Sequence, residues 1–141
     1  MRVLAVDPGK MSGIAFIARP NDDDPPIINE FPAMKSVKMA EQYLGTNLDF
    51  VVCESFIPRP GAGTWQPDAL EVIGALRYLC WRCEVPFELQ SPADAKRFST
   101  DEKLKKLGWY TPTPDGHAND AQRHLLLGLV RHQEIDLRRL T

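Results

Sequence analysis

The sequence predicts an α/β fold built on a five-stranded mixed sheet flanked by helices, and three observations carry that prediction. Two short apolar runs, "RVLAVD" and "GIAFIA", flank a Pro-Gly turn at residues 8–12 and read as an antiparallel hairpin. Two later runs, "DFVVCES" and "VPFELQ", are separated by a stretch of helical periodicity, the pattern of parallel strands joined by a right-handed crossover. The order strand, strand, strand, helix, strand, helix, strand, helices therefore begins antiparallel and continues parallel.

The elements follow in turn. After the hairpin, "RPNDDDPP" is a charged, turn-rich connection, and "IINEFPAM" supplies a third, weaker strand antiparallel to the second. "SVKMAEQYL" carries Val37, Ala40, Tyr43 and Leu44 at helical spacing and stops at Gly45. "DFVVCES" is a buried strand, and the glycines and prolines of "FIPRPGAGTWQP" mark a loop. "DALEVIGALRYLCWRC" places Ala69, Val72, Ile73, Leu76, Leu79, Cys80 and Cys83 on a broad apolar face, which predicts a well-buried helix with core-facing cysteines. Ser91, Pro92 and Asp94 form a capping-box variant that opens "SPADAKRF". Thr100 caps "DEKLKKL", which Gly108 ends, and "HANDAQRHLLLGLVRH" closes the series with an apolar stripe through Ala121, Leu125, Leu126 and Leu129.

Composition narrows the function classes. A length of 141 residues suits one domain, taken as residues 1–141. No apolar run approaches the roughly 20 residues of a membrane span, so no membrane partner is expected. The first residues pass into "RVLAV" without a signal-peptide pattern, which predicts a cytoplasmic location. Three cysteines, Cys53, Cys80 and Cys83, have no framework spacing; "CWRC" closes a helix instead of opening one and lacks a second ligand pair, against both redox and zinc roles. A net charge of −2 gives no support to a nucleic-acid face, although base is concentrated in "AKRF", "DEKLKKLG" and "DLRRL".

Acids recur in one kind of place. Asp7 ends the first strand and Glu54 ends "FVVCE"; Asp120 lies near the start of the last helix with His117 three residues before it, on the same face. If the first and fourth strands are parallel neighbours, the two strand-end acids meet where open α/β sheets build sites, and the last helix presents His117 and Asp120 to the same point. Clustered carboxylates repel one another unless cations intervene, and oxygen ligands with one imidazole suit Mg²⁺ or Mn²⁺. Two such ions about 4 Å apart activate water and stabilise a leaving oxygen in phosphodiester cleavage. Taken singly, each residue has a plainer reading: Asp7 as a turn residue before Pro8-Gly9, Glu54 as the solvated start of a loop, Asp120 as a first-turn acid, and His117 as a helix-terminus histidine. The set makes the case. "PGKMSG" lacks both the first glycine and the hydroxyl residue after the lysine that a phosphate loop requires, and no serine sits in a nucleophile elbow.

The stretches "VLAVDPGKMSGIAF", "VVCESF", "DALEVIGALRYLCWRCEVPFELQSPADAK" and "HANDAQRHLLLGL" together resemble the RuvC-type Holliday-junction resolvases, particularly shorter phage-like members, in order and over nearly the whole chain. The resemblance implies a ribonuclease H-like fold and a homodimer that nicks branched DNA in pairs with Mg²⁺ or Mn²⁺, leaving a 5′-phosphate and a 3′-hydroxyl. For a phage-encoded chain, the location would be the bacterial host's cytoplasm. It implies that Asp7, Glu54 and Asp120 are metal-binding acids, that His117 takes a fourth position, and that Lys96 is the basic residue near the site. Phe56 falls two residues after Glu54 where relatives carry an aromatic three residues on, which leaves Phe56 or Trp65 as the wedge that opens a junction, with Arg59 in the same loop as a DNA contact. Lys103, Lys105 and Lys106 are further candidates to track phosphates. Against these stand plainer readings: Phe56 as core, and the lysines as solvated helix faces. A nuclease of the same fold acting on flaps or RNA–DNA hybrids, and a non-catalytic DNA-binding module, are the alternatives.

Overall fold

In the computed structural model, residues 1–56 and 67–141 are described. Five strands form one sheet in the order β3-β2-β1-β4-β5: β1 (Val3–Asp7), β2 (Met11–Ile17), β3 (Ile27–Pro32), β4 (Phe50–Glu54) and β5 (Phe87–Gln90). β1 pairs antiparallel with β2 and β2 with β3, whereas β4 runs parallel to both β1 and β5. This is the mixed sheet that the strand order predicts.

Strand alternation divides the interior in two. Val3 and Ala5 of β1, with Phe50 and Val52 of β4, face α5 (His117–Arg131) and pack on its Ala121, Leu125, Leu126 and Leu129. Leu4, Val6, Val51 and Cys53 point the other way, onto Ala40 and Leu44 of α1 (Ala33–Leu44) and Val72, Ile73, Leu76 and Cys80 of α2 (Pro67–Arg82). Both faces of β1 and β4 are thus covered, and their continuous apolar runs follow from that burial. The short helices α3 (Pro92–Phe98) and α4 (Asp101–Lys106) begin as their cap residues dictate, with the hydroxyls of Ser91 and Thr100 accepting from the Asp94 and Lys103 backbone N–H groups.

Three local expectations are corrected. The third strand stops at Pro32, which cannot extend a ladder and caps α1 instead, so the helix starts at Ala33, three residues before Ser36. The α2 helix buries one stripe only, leaving Leu70, Tyr78 and Trp81 exposed and Leu79 half-buried. Cys83 lies past the helix end and is exposed, because Glu84 adopts a left-handed φ of 57° and turns the chain out of the core. Cys53 and Cys80 are buried, and burial with the neighbouring Cys83 pushes the Cys80 thiol up to about 12, so Cys80 stays a thiol at neutral pH.

Candidate active site

The site grows out of strand register. Val3 to Val6 pair with Phe50 to Cys53, so the next residues, Asp7 and Glu54, end adjacent parallel strands. Period-two alternation turns both carboxylates onto the face that packs on α5, the same face as Ala5 and Val52. One strand further out, Gln90 of β5 is paired with Glu54, so three polar side chains occupy one row across the sheet's carboxyl edge.

The first turn of α5 is brought over this edge by two contacts. Gly13 of β2 lies so close to the helix that a Cβ there would sit 2.0 Å from the His117 carbonyl oxygen. Glu30 of β3 supplies the cap that Gly116, in a left-handed conformation with no side chain, cannot: its Oε1 accepts from the Thr113 hydroxyl at 2.6 Å and from Ala118 N–H at 3.0 Å. The Thr113 bond, with Ala118, outweighs burial and holds the Glu30 carboxyl below its ordinary value.

Each predicted acid then meets a base from α5. His117 Nδ1 lies 3.1 Å from Asp7 Oδ2. Asp7 is buried, and burial, repulsion and hydrogen bonding from Glu54, and the charge of Asp120 push its carboxyl up to about 9, with Lys96 opposing. His124 Nε2 lies 2.9 Å from Glu54 Oε2; burial works to raise that carboxyl, yet the hydrogen bonds from His124 and Asp7 and the charge of Lys96 hold it below the usual range. Asp120 Oδ1 is 3.4 Å from Arg123 Nε, and the same guanidinium reaches Asp101 Oδ1 at 2.5 Å and the Ser99 carbonyl at 2.6 Å.

Asp7, Glu54, His117 and Asp120 line one open groove of about 860 Å³, together with Lys10, Asp68 and Asp115. Asp120 also borders a neighbouring cavity of about 750 Å³ lined by Lys96, Asp101 and Arg123. Among the described residues, no three His, Cys, Asp or Glu side chains are grouped so as to hold an ion. Each acid is instead turned to its own partner on α5. The donor chemistry nonetheless fits a hard divalent cation, because burial and the neighbouring carboxylates of Glu54 and Asp120 leave Asp7 unable to ionise in the ordinary range.

The DNA-contact candidates separate. Lys96 is exposed and close enough for its charge to act on both Asp7 and Glu54. Lys103 is engaged internally, donating to the Phe98 carbonyl at 2.8 Å and lying 3.8 Å from the centre of that ring; Lys105 lies over the Tyr110 ring and Lys106 is exposed. Phe56 is half-buried against the core beneath α1 and α2. Arg59 and Trp65 lie outside the described residues. Lys10 reaches the groove wall, while its turn is closed by Ser12, whose hydroxyl bonds both Gly9 N–H and Gly9 C=O, so the turn offers no phosphate cradle.

Four residues in this arrangement escape motif reading: His124, Gln90, Arg123 and Glu30. His124 stands seven residues after His117 and Gln90 ends the strand beside Glu54, so helical and strand periods together put both at the carboxyl edge. Glu30 and Arg123 carry no comparable signal.

No family model matches the sequence, and no curated protein matches it. Solved structures do. The structure of Thermus thermophilus RuvC aligns with 95% of this chain and 98% of its own at a TM-score of 0.64 and 17% identity. T. thermophilus RuvC in complex with Holliday junction substrate aligns with 95% of this chain and 97% of its own at 0.60 and 19% identity. Strand order, crossovers and the covered sheet agree with that likeness, and the chain thus has the RuvC fold, a ribonuclease H-like α/β sheet, over nearly its whole length.

Proposed function

We propose that this chain is a structure-selective endonuclease that resolves Holliday junctions and other branched DNA by divalent-metal-dependent phosphodiester hydrolysis. The observation that carries the reading is the convergence of Asp7, Glu54, His117 and Asp120 on one open groove at the carboxyl edge of the sheet. The solved RuvC relative bound to a Holliday junction supports the choice of substrate.

These four residues would hold Mg²⁺ or Mn²⁺, which when bound neutralises the carboxylates, activates water and stabilises the leaving oxygen. The chain's own groups do the rest. Lys96, beside the acids, steers a phosphate toward them. His117, tethered through Nδ1 to Asp7, completes the ligand set or holds a proton for the reaction. Arg123 fixes Asp120 on the side facing Asp101. The enzyme acts as a homodimer in the cytoplasm, one site per strand cut, and the exposed Leu70, Tyr78 and Trp81 of α2 offer an apolar face for the second copy.

The test is cleavage of a synthetic four-way junction beside a flap, an RNA–DNA hybrid and a linear duplex, with Mg²⁺, by the wild type and by Asp7→Asn. The expected result is Mg²⁺-dependent cutting of the junction that Asp7→Asn abolishes, from a complex whose mass corresponds to two chains. Absence of divalent-dependent cutting on every substrate overturns the enzyme; preference for the hybrid overturns only the substrate.

A further inference from the structure

His124 is a fully buried polar side chain beside the groove, 1% exposed, on the α5 face that otherwise carries Ala121, Leu125 and Leu129. An imidazole there loses its water contacts, so both ring nitrogens must find partners inside the protein. They do. Nε2 lies 2.9 Å from Glu54 Oε2, and Nδ1 lies 2.9 Å from the side-chain amide of Gln90.

The Gln90 amide decides which nitrogen carries the proton. Its surroundings are the Gly128 backbone N–H on one side and the His124 carbonyl and Nδ1 on the other. Only one orientation satisfies them all: the oxygen accepts from Gly128 N–H at 3.3 Å, and the nitrogen donates to the His124 carbonyl at 3.2 Å and to Nδ1 at 2.9 Å. With Nδ1 accepting, a neutral imidazole has its single N–H at Nε2, pointed at Glu54. Gly128 makes the approach feasible, since a Cβ there would meet Val52 Cγ2 at 2.8 Å and the Gln90 amide at 3.4 Å.

We infer that Gln90 and His124 are positioning residues: the Gln90 amide locks His124 as the Nε2–H tautomer, and that N–H fixes the Glu54 carboxylate at the wall of the groove. This relay deepens the nuclease reading and rests on it only in what Glu54 is held for. In proteins that bind metals, partners of this kind typically change affinity 10–100-fold when lost.

Two measurements test it. In ¹⁵N-labelled, metal-free protein, long-range ¹H–¹⁵N correlation of the His124 ring should show the Nε2–H tautomer, and Gln90→Met, which leaves only Glu54 to bias the ring, should raise the Nδ1–H share; an Nδ1–H or averaged ring in the wild type, or an unchanged ring in Gln90→Met, overturns the relay. The second is Mn²⁺ affinity without DNA. His124→Leu should lose about tenfold or more, whereas His124→Gln, whose amide reaches Glu54 as Nε2 does, should stay within about threefold. A histidine that only fills space would give the reverse order, because leucine suits an apolar pocket and glutamine does not, and that order overturns the proposal. Should a variant fail to fold, the wild-type tautomer decides. Should the wild type bind no Mn²⁺, the metal reading falls while the ring measurement still decides the relay.

Discussion

Asp7 and Glu54 end neighbouring strands, face the same helix and each touch a histidine of that helix, yet they settle in opposite states. Asp7 is pushed up to about 9, while Glu54 is held below its ordinary value. Burial accounts for part of the difference: the Asp7 side chain is 9% exposed against 22% for Glu54. The neighbours account for the rest: the charge and hydrogen bond of Glu54 and the charge of Asp120 raise Asp7, whereas the hydrogen bonds of His124 and Asp7 lower Glu54. His124 is sealed in the core with its second nitrogen fixed by Gln90, whereas the His117 side chain is 32% exposed. Glu54 thus has a fixed, buried donor, whereas Asp7 is buried facing two other carboxylates. Glu54 is therefore the settled ligand candidate, and Asp7 the one with most to gain from a cation.

The largest expected effect tests both arms at once. Asp7→Asn and Glu54→Leu should each lower junction cleavage roughly a thousandfold, since several kcal/mol of charge stabilisation disappear with either acid. Their metal-free stabilities should diverge. Asp7→Asn removes a buried acid repelled by two others and should raise the melting temperature; Glu54→Leu strands the His124 N–H and should lower stability by about 2 kcal/mol. Calorimetry of the metal-free variants reads both, and shifts of the same sign would break the contrast.

A smaller effect separates the arms by how α5 is moored. Gly13 guards the exposed arm, where an added Cβ meets helix backbone at 2.0 Å and backbone cannot step aside. Gly13→Ala should cost about 3 kcal/mol by overpacking and pull His117 from Asp7 while leaving the deeper His124–Glu54 bond in place. Denaturant unfolding measures the first; the ring signals of the two histidines measure the second, with His117 shifting and His124 unchanged. Equal shifts in both rings would mean that the helix moves as one body.

Sheet and acids were legible because they follow from short-range patterns. Apolar runs of β1 and β4 announce a covered sheet, and a charge that ends such a run must lie at its edge, which locates Asp7 and Glu54. The partners of these acids were not legible in the same way. Arg123 reads as an ordinary surface cation until α5 is laid beside Asp101, 22 residues away. Glu30 sits on a strand whose pairing partner is β2, and only the fold brings it beside Ala118, 88 residues along. Cys83 was misplaced for the opposite reason: local spacing extended the apolar face of α2 one residue past a turn that Glu84 makes by backbone conformation.

Glu30 gives the smallest and most pH-sensitive effect. It caps the helix end that carries His117, so Glu30→Ala should cost about 1 kcal/mol, the usual loss of an N-cap. The carboxyl is bonded in the folded chain and free in the unfolded one, and its folded value lies below the ordinary 4.5. Such a group stabilises the fold fully above the unfolded value, and its contribution fades as pH falls through the lower, folded value. The gap in melting temperature between wild type and Glu30→Ala should accordingly be constant from neutral pH down to about 5 and shrink below it. Glu30→Gln, which keeps an acceptor oxygen without the charge, should close part of the gap at pH 7 and show no such fading. If the gap were instead to widen toward acid, Glu30 would not be capping α5 as a carboxylate, and the mooring of the exposed arm would rest on Gly13 alone.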